Sequence, residues 1–248
     1  MKKKCNIPKI IHQTWKNNTI PDKWKKSQEM WKKLHPDWKY ILWTDKMIRN
    51  YIKKKYPKFL ELHDNYKYPI QRADMIRYFV LKDFGGIYCD LDLYPIINLE
   101  NYFINNNNEA YFVFSGNYPS FTNSFMASKP NAQIWNYVLE ELLKRKNIKL
   151  GCHFTVMLTT GPTMLHSVLF KHNNLIGLLP KNAFMAYSTN DDFNVIKKNA
   201  VLLPLRGSSW NKLDSFLLNK LNKYKITILL IIILSYINLI IKYLKKKI

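Results

Sequence analysis

The chain has 248 residues, which is enough for one core of roughly 200 residues and a short appendage. Apolar residues make up 47% of it and aromatic residues 15%, so a disordered chain is excluded. Lys and Arg outnumber Asp and Glu by 39 to 17, and the charge of +22 agrees with binding to nucleic acid, an acidic membrane or phosphate groups. Only five of these cations are Arg, and Lys, Asn and Ile are abundant, as in chains encoded by AT-rich genomes. The charge therefore does not decide between these partners.

The cysteines and the N-terminus give two further exclusions. Cys5, Cys89 and Cys152 form no close pair and no metal-ligand spacing, so we expect neither a disulfide framework nor a cysteine zinc site. The opening MKKKCNIPKIIH is basic, but no apolar run follows it, so it does not fit a signal peptide.

Strands and helices are predicted to alternate in the first third of the chain. The pattern indicates a strand within 7–15, a Trp- and Lys-rich helix at 22–34, a strand at 38–43 and a helix at 70–84. Thr44 is the expected N-cap of a further helix that contains Met47 and Ile48. The pair Gly85-Gly86 is expected to end the helix that begins at Ile70.

The alternation continues in the later part of the chain. Strand-like runs occur at 110–115, 175–179 and 201–205, and a helix is predicted at 132–145. Alternating strands and helices favour an α/β domain with a largely parallel, doubly wound sheet. In such a sheet, ligands bind at the carboxyl ends of the strands.

Residues 87–94 alternate between apolar and polar side chains, as a strand does. Asp90 and Asp92 would then share one face of the strand, with Cα atoms roughly 6.5–7 Å apart. Both carboxylates could reach one hard divalent cation, or one could hold the cation and the other a sugar hydroxyl. A cation here would bridge a diphosphate and neutralise the charge that develops on a departing nucleotide. A solvent-facing edge strand is the alternative, and the Asp-x-Asp triplet alone does not exclude it.

The helix that precedes this strand carries a second pair of charges. Asp74 and Arg77 are three residues apart and therefore lie on one helical face. They form either a surface ion pair or a grip on adjacent sugar hydroxyls, in which the guanidinium also reaches phosphate.

The segment YPIQRADMIRYFVLKDFGGIYCDLD, which contains both pairs, resembles the signature of the DXD-containing glycosyltransferases of family 32. Within that family it is most similar to the fungal inositol-phosphorylceramide mannosyltransferase catalytic subunits. Five shorter segments agree with the family's other blocks: IPKIIHQTWK, WKYILWTD, NSFMASKP, TTGP and GSSW. The resemblance covers residues 7–210.

The resemblance implies a GT-A (Rossmann-like) catalytic domain at 1–219 and a retaining, metal-dependent transfer from a nucleotide sugar. The implied reaction moves mannose from GDP-mannose to a glycolipid such as inositol-phosphorylceramide, with Mn²⁺ or Mg²⁺ as cofactor. Asp74 and Arg77 would hold the donor sugar. Asp90 would contact ribose or sugar hydroxyls and Asp92 would bind the metal directly, with Asp90 beside it. These four side chains are the catalytic residues that we expect.

The resemblance also implies contacts to the nucleotide. Trp15 would lie against the base of the donor, with ordinary core packing as the alternative. Ser208 would donate a hydrogen bond to the diphosphate and Trp210 would pack over it, the alternative being a structural tryptophan near the end of the domain.

The chain departs from the family pattern just before these two residues. Many relatives carry a His or an acidic residue there as a third protein ligand to the metal, whereas this chain has Pro204-Leu205-Arg206. Water or Asn211 would then complete the metal site, or Arg206 would take over part of the metal's charge. A catalytically inactive homologue is a further alternative. We expect His12 to be a structural histidine and Asp45 to cap or brace the loop after the second strand.

The C-terminal part predicts a membrane anchor. A basic segment at 220–225, with three lysines, precedes 226–244. These nineteen mostly apolar residues would span about 28 Å as a helix, and 245–248 form a basic tail. A buried or interfacial terminal helix is the alternative. We expect a single-pass protein of a Golgi- or ER-type endomembrane, and lysines on both sides of the span leave its orientation open.

Two other functions are compatible with part of the sequence pattern. A UDP-galactose- or UDP-glucose-dependent enzyme would use the same site on a glycan or protein acceptor. A nucleic-acid-binding protein would show stacking aromatics on basic faces and no acidic pair in a cleft, so the segment from Asp74 to Asp92 counts against it. The expected partners are therefore the nucleotide-sugar donor, a lipid or glycan acceptor, the membrane and a regulatory subunit, with no nucleic acid.

Overall fold

The computed structural model describes residues 7–103, 108–114, 120–184 and 200–205. Within these residues the elements in chain order are β1 (Ile10–Trp15), α1 (Asp22–Leu34), β2 (Lys39–Thr44), α2 (Asp45–Lys55), α3 (Leu60–Asn65), α4 (Pro69–Phe84), β3 (Gly86–Cys89), β4 (Leu93–Pro95), β5 (Ala110–Phe114), β6 (Phe121–Ser128), α5 (Ile134–Lys144), α6 (Gly151–Thr159), α7 (Pro162–Lys171), β7 (Ile176–Pro180), α8 (Lys181–Phe184) and β8 (Leu202–Pro204). They belong to one compact unit, except residues 151–153, which belong to a second. The predicted elements are confirmed with small shifts of their bounds, apart from 87–94.

Six of the strands form a mixed sheet in the order β2-β1-β3-β6-β5-β7, and β4 pairs with β8 in a small second sheet. β1 is parallel to β2 and β3, and β5 is parallel to β7, but β6 runs antiparallel to both β3 and β5. The expectation of a largely parallel sheet is therefore wrong at β6. That strand was not predicted, because the polar run from Thr122 to Ser124 breaks its apolar pattern. Its reversed direction brings the start of β6 to the edge at which β1, β3 and β5 end.

Helices cover both faces of the sheet. On one face, helices α2 to α5 and α7 enclose a core that includes Phe79, Phe112 and Trp135. On the other face, Trp31 of α1 packs with residues such as Ile87. Neighbouring strand residues thus contribute to opposite cores, as the pleat requires.

Helix α1 is tied to β4 by two hydrogen bonds to one carbonyl group. The Ser27 Oγ and the Trp31 Nε1 each donate to the Leu93 carbonyl oxygen over 2.8 Å. Both donors are buried, so the helix fixes the chain directly behind Asp92.

Two glycines allow helix α4 to end and β3 to begin. Gly85 has φ +62°, and a Cβ atom on it would lie 2.7 Å from the carbonyl oxygen of Ser128. Gly86 has φ +90°, and its Cβ would lie 2.5 Å from the carbonyl oxygen of Ile10. The predicted helix stop is confirmed, and the close approach of the backbones explains why neither position accepts a side chain.

His12 is a structural histidine, as predicted. The Trp43 Nε1 donates to its Nδ1 over 3.0 Å, and its Nε2 lies 3.0 Å from the Gly85 carbonyl oxygen. An indole only donates and a carbonyl only accepts, so the ring is the neutral tautomer with hydrogen on Nε2. Burial lowers the pKa of His12 from 6.5 to about 4, which keeps it neutral at physiological pH.

Several predicted features lie outside the described residues. These are Ser208, Trp210, Arg206, Asn211 and the apolar segment 226–244. In the part of the chain that the structure describes, no helix is both long enough and apolar enough to cross a membrane.

Candidate active site

Asp90 and Asp92 lie directly after β3, in the turn that leads to β4. The prediction that they share the face of a strand over 87–94 is wrong. β3 is a central strand, all four of its residues are buried, and it ends at Cys89. The chain then turns, with the Leu93 amide donating to the Asp90 carbonyl oxygen over 3.1 Å. Both carboxylates nevertheless lie at the carboxyl edge of the sheet, where ligands bind in α/β folds.

The guanidinium of Arg77 forms ion pairs with Asp74 on helix α4 and with Asp90 in this turn. The Arg77 Nη1 lies 3.0 Å from Asp74 Oδ1, and its Nη2 lies 3.0 Å from Asp90 Oδ1. Asp74 and Arg77 are 3% and 4% exposed, so they form a buried ion pair rather than a surface one. Burial also explains its energetic importance, because removing one partner of a buried ion pair typically costs about 3–5 kcal/mol.

Arg77 is further held by the sheet. Its Nη1 donates to the Asn123 carbonyl oxygen over 3.0 Å, and its guanidinium carbon lies 4.8 Å from the ring centre of Tyr88. Its Nε is buried and has no hydrogen-bond partner among the described residues. The planar group is thus clamped between β3 and β6.

Tyr88 extends this network to the first strand. Its hydroxyl donates to Asp90 Oδ1 over 2.7 Å and lies 3.0 Å from the Thr14 hydroxyl, which therefore acts as the donor to it. Sequence reasoning gave no role to either residue. The strand pattern signalled Tyr88 as a neighbour of Asp90, but only the pairing of β1 with β3 reveals Thr14.

The second oxygen of Asp74 is held from another direction. The Thr160 Oγ1 donates to Asp74 Oδ2 over 3.3 Å, and the Thr160 carbonyl oxygen accepts from the Tyr78 hydroxyl over 2.6 Å. The Asn123 Nδ2 in turn donates to the Tyr78 hydroxyl over 3.4 Å. The segments TTGP and NSFMASKP therefore meet at the buried carboxylate, although the sequence gave no roles to their residues.

The electrostatics of the site favour an added positive charge. Burial raises the pKa of Asp74 to about 6, against the opposing effect of Arg77. Burial, followed by repulsion from Asp90, raises the pKa of Asp92 to about 7, and burial also raises the pKa of Asp90. Three ionised carboxylates beside one guanidinium would carry a net charge of −2. A divalent cation would neutralise this negative charge and would keep the carboxylates ionised.

The donor set for such a cation is small. Among the described residues, no three side chains of His, Cys, Asp and Glu converge as metal ligands. Asp90 and Asp92 offer hard oxygen atoms of the kind that Mg²⁺ and Mn²⁺ prefer. Two carboxylates together with substrate phosphates and water are a common arrangement for such an ion, so these residues fit the implied cofactor.

Trp15 lies at the end of β1, next to the turn that carries the carboxylates. It packs edge-on against Trp24 with ring centres 5.1 Å apart, and both contact a cluster that includes Leu91. Its Nε1 donates to the Thr19 carbonyl oxygen over 3.0 Å. A cavity of about 310 Å³ adjoins it, lined by residues that include Lys16. The structure thus brings Trp15 close to the carboxylate turn, and its contact with a nucleotide base stays a prediction.

Asp45 begins helix α2, directly after its N-cap Thr44, whose hydroxyl accepts from the Met47 amide over 3.3 Å. Asp45 lines a separate cavity of about 390 Å³ together with Arg49 and Arg72. It therefore lies outside the network of Asp74, Arg77 and Asp90.

The last described residues before Ser208 and Trp210, which are β8 and Leu205, lie beside the carboxylate turn. β8 pairs with β4, and the Leu205 amide donates to the Asp92 carbonyl oxygen over 2.6 Å. Leu205 is the last described residue, so the predicted roles of Ser208 and Trp210 stay predictions.

The fold is an α/β domain with a mixed sheet, and its acidic side chains lie at the carboxyl edge, where ligands bind in such folds. Residues 21–113 match the family model described as "glycosyltransferase sugar-binding region containing DXD motif". The matched region includes helix α4 with Asp74 and Arg77 and the turn with Asp90 and Asp92.

The chain is similar to several fungal proteins that are named as mannosyltransferases or synthases of inositol-containing ceramides. The chain is 34% identical over 224 residues to mannosyl phosphorylinositol ceramide synthase CSH1 of Saccharomyces cerevisiae, an alignment that covers 88% of this chain and 56% of that protein. It is 35% identical over 232 residues to SUR1 of the same organism, covering 88% and 55%. Inositol phosphoceramide mannosyltransferase 2 of Schizosaccharomyces pombe is 34% identical over 167 residues, covering 63% and 44%. The resemblance seen in the sequence is confirmed, and the chain spans about half the length of these relatives.

Solved structures support the GT-A-like fold. The PaToxG glycosyltransferase matches with a TM-score of 0.54 at 19% identity, over 67% of this chain and 70% of that one. The UDP-bound glycosyltransferase domain of the YGT toxin matches with a TM-score of 0.50 at 11% identity, over 71% and 80%. At these identities the likeness concerns the fold alone.

Proposed function

We propose that the chain is a retaining, metal-dependent mannosyltransferase that transfers mannose from GDP-mannose to a glycolipid such as inositol-phosphorylceramide. The observation that carries the proposal is the chain of ion pairs from Asp74 through Arg77 to Asp90, which ends beside Asp92 at the carboxyl edge of the sheet. The names of the fungal relatives support the donor sugar and the acceptor.

The buried pair would hold the donor sugar. A carboxylate accepts hydrogen bonds from adjacent hydroxyls, and a guanidinium fixed on both sides donates in defined directions. Arg77 keeps Asp90 Oδ1 in place together with Tyr88, which leaves Asp90 Oδ2 for a ligand hydroxyl or a cation. The residues therefore orient the sugar before the reaction begins.

Asp92, together with Asp90, would hold Mn²⁺ or Mg²⁺. The bound ion would supply charge neutralisation for the departing diphosphate. The part of the protein is to fix both carboxylates at one edge of the sheet, where a bound cation would keep them ionised. Ser208 would donate a hydrogen bond to the same diphosphate, Trp210 would cover it, and Trp15 would flank the base.

The proposed reaction replaces one glycosidic bond by another. The bond between the anomeric carbon and the diphosphate oxygen breaks, and a bond to the acceptor hydroxyl oxygen forms on the same face. The proton of the acceptor hydroxyl passes to the departing phosphate oxygen. We propose an endomembrane location with residues 226–244 as the anchor, which would hold the site close to a lipid-borne acceptor.

Donor hydrolysis tests the proposal. The full chain is purified in detergent and incubated with Mn²⁺ and a panel of GDP- and UDP-sugars, and nucleotide release is measured. We expect turnover of GDP-mannose that falls at least about a hundredfold in Asp92→Asn and is unchanged in Asp37→Asn, at an exposed site. Turnover of a UDP-sugar instead would replace the donor, and neither turnover nor nucleotide binding would identify an inactive homologue.

A further inference from the structure

An exposed apolar strip lies beside the candidate site. It consists of Phe114 at the end of β5, Leu178 on β7 and Phe170 on α7, which are 40%, 57% and 68% exposed. Large apolar side chains exposed singly are ordinary on a protein surface, whereas contiguous ones mark interaction surfaces.

Ring contacts connect Phe114 with Phe170, and strand pairing places Leu178 on the same face of the sheet. Phe114 packs against Phe121 with ring centres 5.4 Å apart, Phe121 lies 5.9 Å from His166, and His166 lies 5.7 Å from Phe170. Leu178 is the strand partner of Phe112, whose ring lies 6.5 Å from Phe121. Strand partners point to the same face, so Leu178 belongs to the face that α7 covers only in part.

The strip starts at the edge of the sheet that carries the carboxylates. Phe121 opens β6, and Asn123, two residues further along, contacts Arg77. Phe114 and Phe121 therefore lie within roughly 7 Å along the strand of the residues that hold the ion pairs. From there the strip follows β7, which is an edge strand of the sheet.

Lysines flank the strip on α7 and at the end of β7. Residues 142–184 contain no Asp or Glu but include six Lys and Arg residues. Lys171 follows Phe170 directly. Lys181 follows Pro180, which is the strand partner of Phe114, and both lysine side chains are exposed. Aromatic and aliphatic side chains flanked by lysines match the interface of an anionic bilayer, in which rings enter the headgroup region and cations face lipid phosphates.

We propose that this strip, defined by Phe114, Leu178 and Phe170 and flanked by Lys171 and Lys181, docks on the surface of an anionic lipid bilayer. A headgroup presented at that surface then reaches the carboxyl edge of the sheet without leaving the membrane. The inference deepens the proposed function, on which it rests for the identity of that headgroup, while the docking itself requires no turnover.

Photocrosslinking of the full chain tests the docking and is independent of any anchor elsewhere in the chain. The photoreactive residue p-benzoylphenylalanine replaces Phe170 or Leu178, and as a control Met47, which is 41% exposed on α2 at the opposite end of the sheet. Each variant is reconstituted into phosphatidylcholine vesicles with or without phosphatidylserine and irradiated, and adducts are identified by mass spectrometry. We expect lipid adducts at 170 and 178 and not at 47, with higher yield when phosphatidylserine is present.

A charge reversal gives the second arm. Lys171→Glu with Lys181→Glu should lower the lipid adduct at position 170 by about fivefold or more, since each lysine near an anionic surface contributes about that factor. The matched control Lys53→Glu with Lys54→Glu, in the last turn of α2, should leave it unchanged. Lipid adducts equal at all three positions, adducts at none of them, or protein–protein adducts at 170 would each overturn the proposal. Because crosslinking needs no nucleotide sugar, its failure is distinguishable from failure of the proposed transferase activity.

Discussion

Arg77 is the side chain on which the candidate site depends, because it touches both Asp74 and Asp90 through different nitrogen atoms. A lysine has one charged atom and no planar fork, so it cannot hold both carboxylates in these positions. Because Asp74 and Arg77 are buried and Asp90 is half-buried, the directions of these contacts, and not the charge alone, decide whether the site keeps its shape.

The substitution Arg77→Lys tests whether the site depends on the guanidinium. We expect kcat/KM for the donor to fall roughly a hundredfold, since one fixed donor group directed at the site is lost. Arg49→Lys is the matched control, because Arg49 also forms a two-point ion pair with Asp64 but at an exposed position. Kinetics of both variants under identical conditions give the comparison, and equal losses in the two would refute a special role for Arg77.

Thr160 is a positioning residue for Asp74, and its effect depends on pH. Its hydroxyl donates to Asp74 and lowers the carboxyl pKa against the larger effect of burial. Thr160→Val removes that hydrogen bond, so the pKa of Asp74 should rise above about 6 and activity that needs the carboxylate should require a higher pH. Thr160→Ser keeps the donor and should restore the original profile. The measurement is the pH–rate profile of each variant, and superimposable profiles of Thr160→Val and Thr160→Ser would contradict this role of Thr160.

At the scale of elements, the junction between α4 and β3 sets where the carboxylate turn begins. Helix α4 carries Asp74 and Arg77, and β3 delivers Asp90 after only four residues. Gly85, directly before β3, and Gly86, its first residue, both have positive φ and lie so close to the end of β6 and to β1 that a side chain would not fit there.

Gly85→Ala should therefore destabilise the domain by about 2–5 kcal/mol, from strain at φ +62° and from overlap of the new Cβ with the backbone of Ser128 and Pro130. Urea unfolding monitored by tryptophan fluorescence measures the loss. A change below about 0.5 kcal/mol would mean that the junction adapts and that the glycine is not required there.

At the scale of the whole molecule, His12 makes stability depend on pH. The pKa of His12 is about 4 in the folded protein and 6.5 when unperturbed, so the unfolded chain binds the proton more tightly. Its contribution is fully present above pH 6.5 and is lost as the pH falls towards 4, by roughly 3 kcal/mol in total. The glutamine in His12→Gln can accept from Trp43 and donate to Gly85 without titrating, so thermal unfolding between pH 4 and 7 should be less pH-dependent. An unchanged pH dependence of stability in His12→Gln would contradict this role of the histidine.

The sequence allowed most elements to be predicted, because their apolar periodicity and their caps are local signals. Thr44 as an N-cap and Gly85 as a helix stop are such cases. It failed at β6 and at 87–94, where pairing across the sheet rather than local pattern decides the structure. Asp90 and Asp92 were recognised from their context. Thr14 and Thr160, in contrast, lie 74 and 86 residues away from Tyr88 and Asp74 in the chain and contact them only through the fold.

The two hydrogen bonds from helix α1 to the Leu93 carbonyl have a thermodynamic consequence for the site. They immobilise the peptide that follows Asp92 when the domain folds, so the conformational entropy of that turn is already lost before any ligand arrives. A pre-organised pair of carboxylates binds a cation at a lower entropic cost than a flexible loop with the same ligands. Rigidity supplied by α1 thus offsets the small number of protein ligands that the site offers.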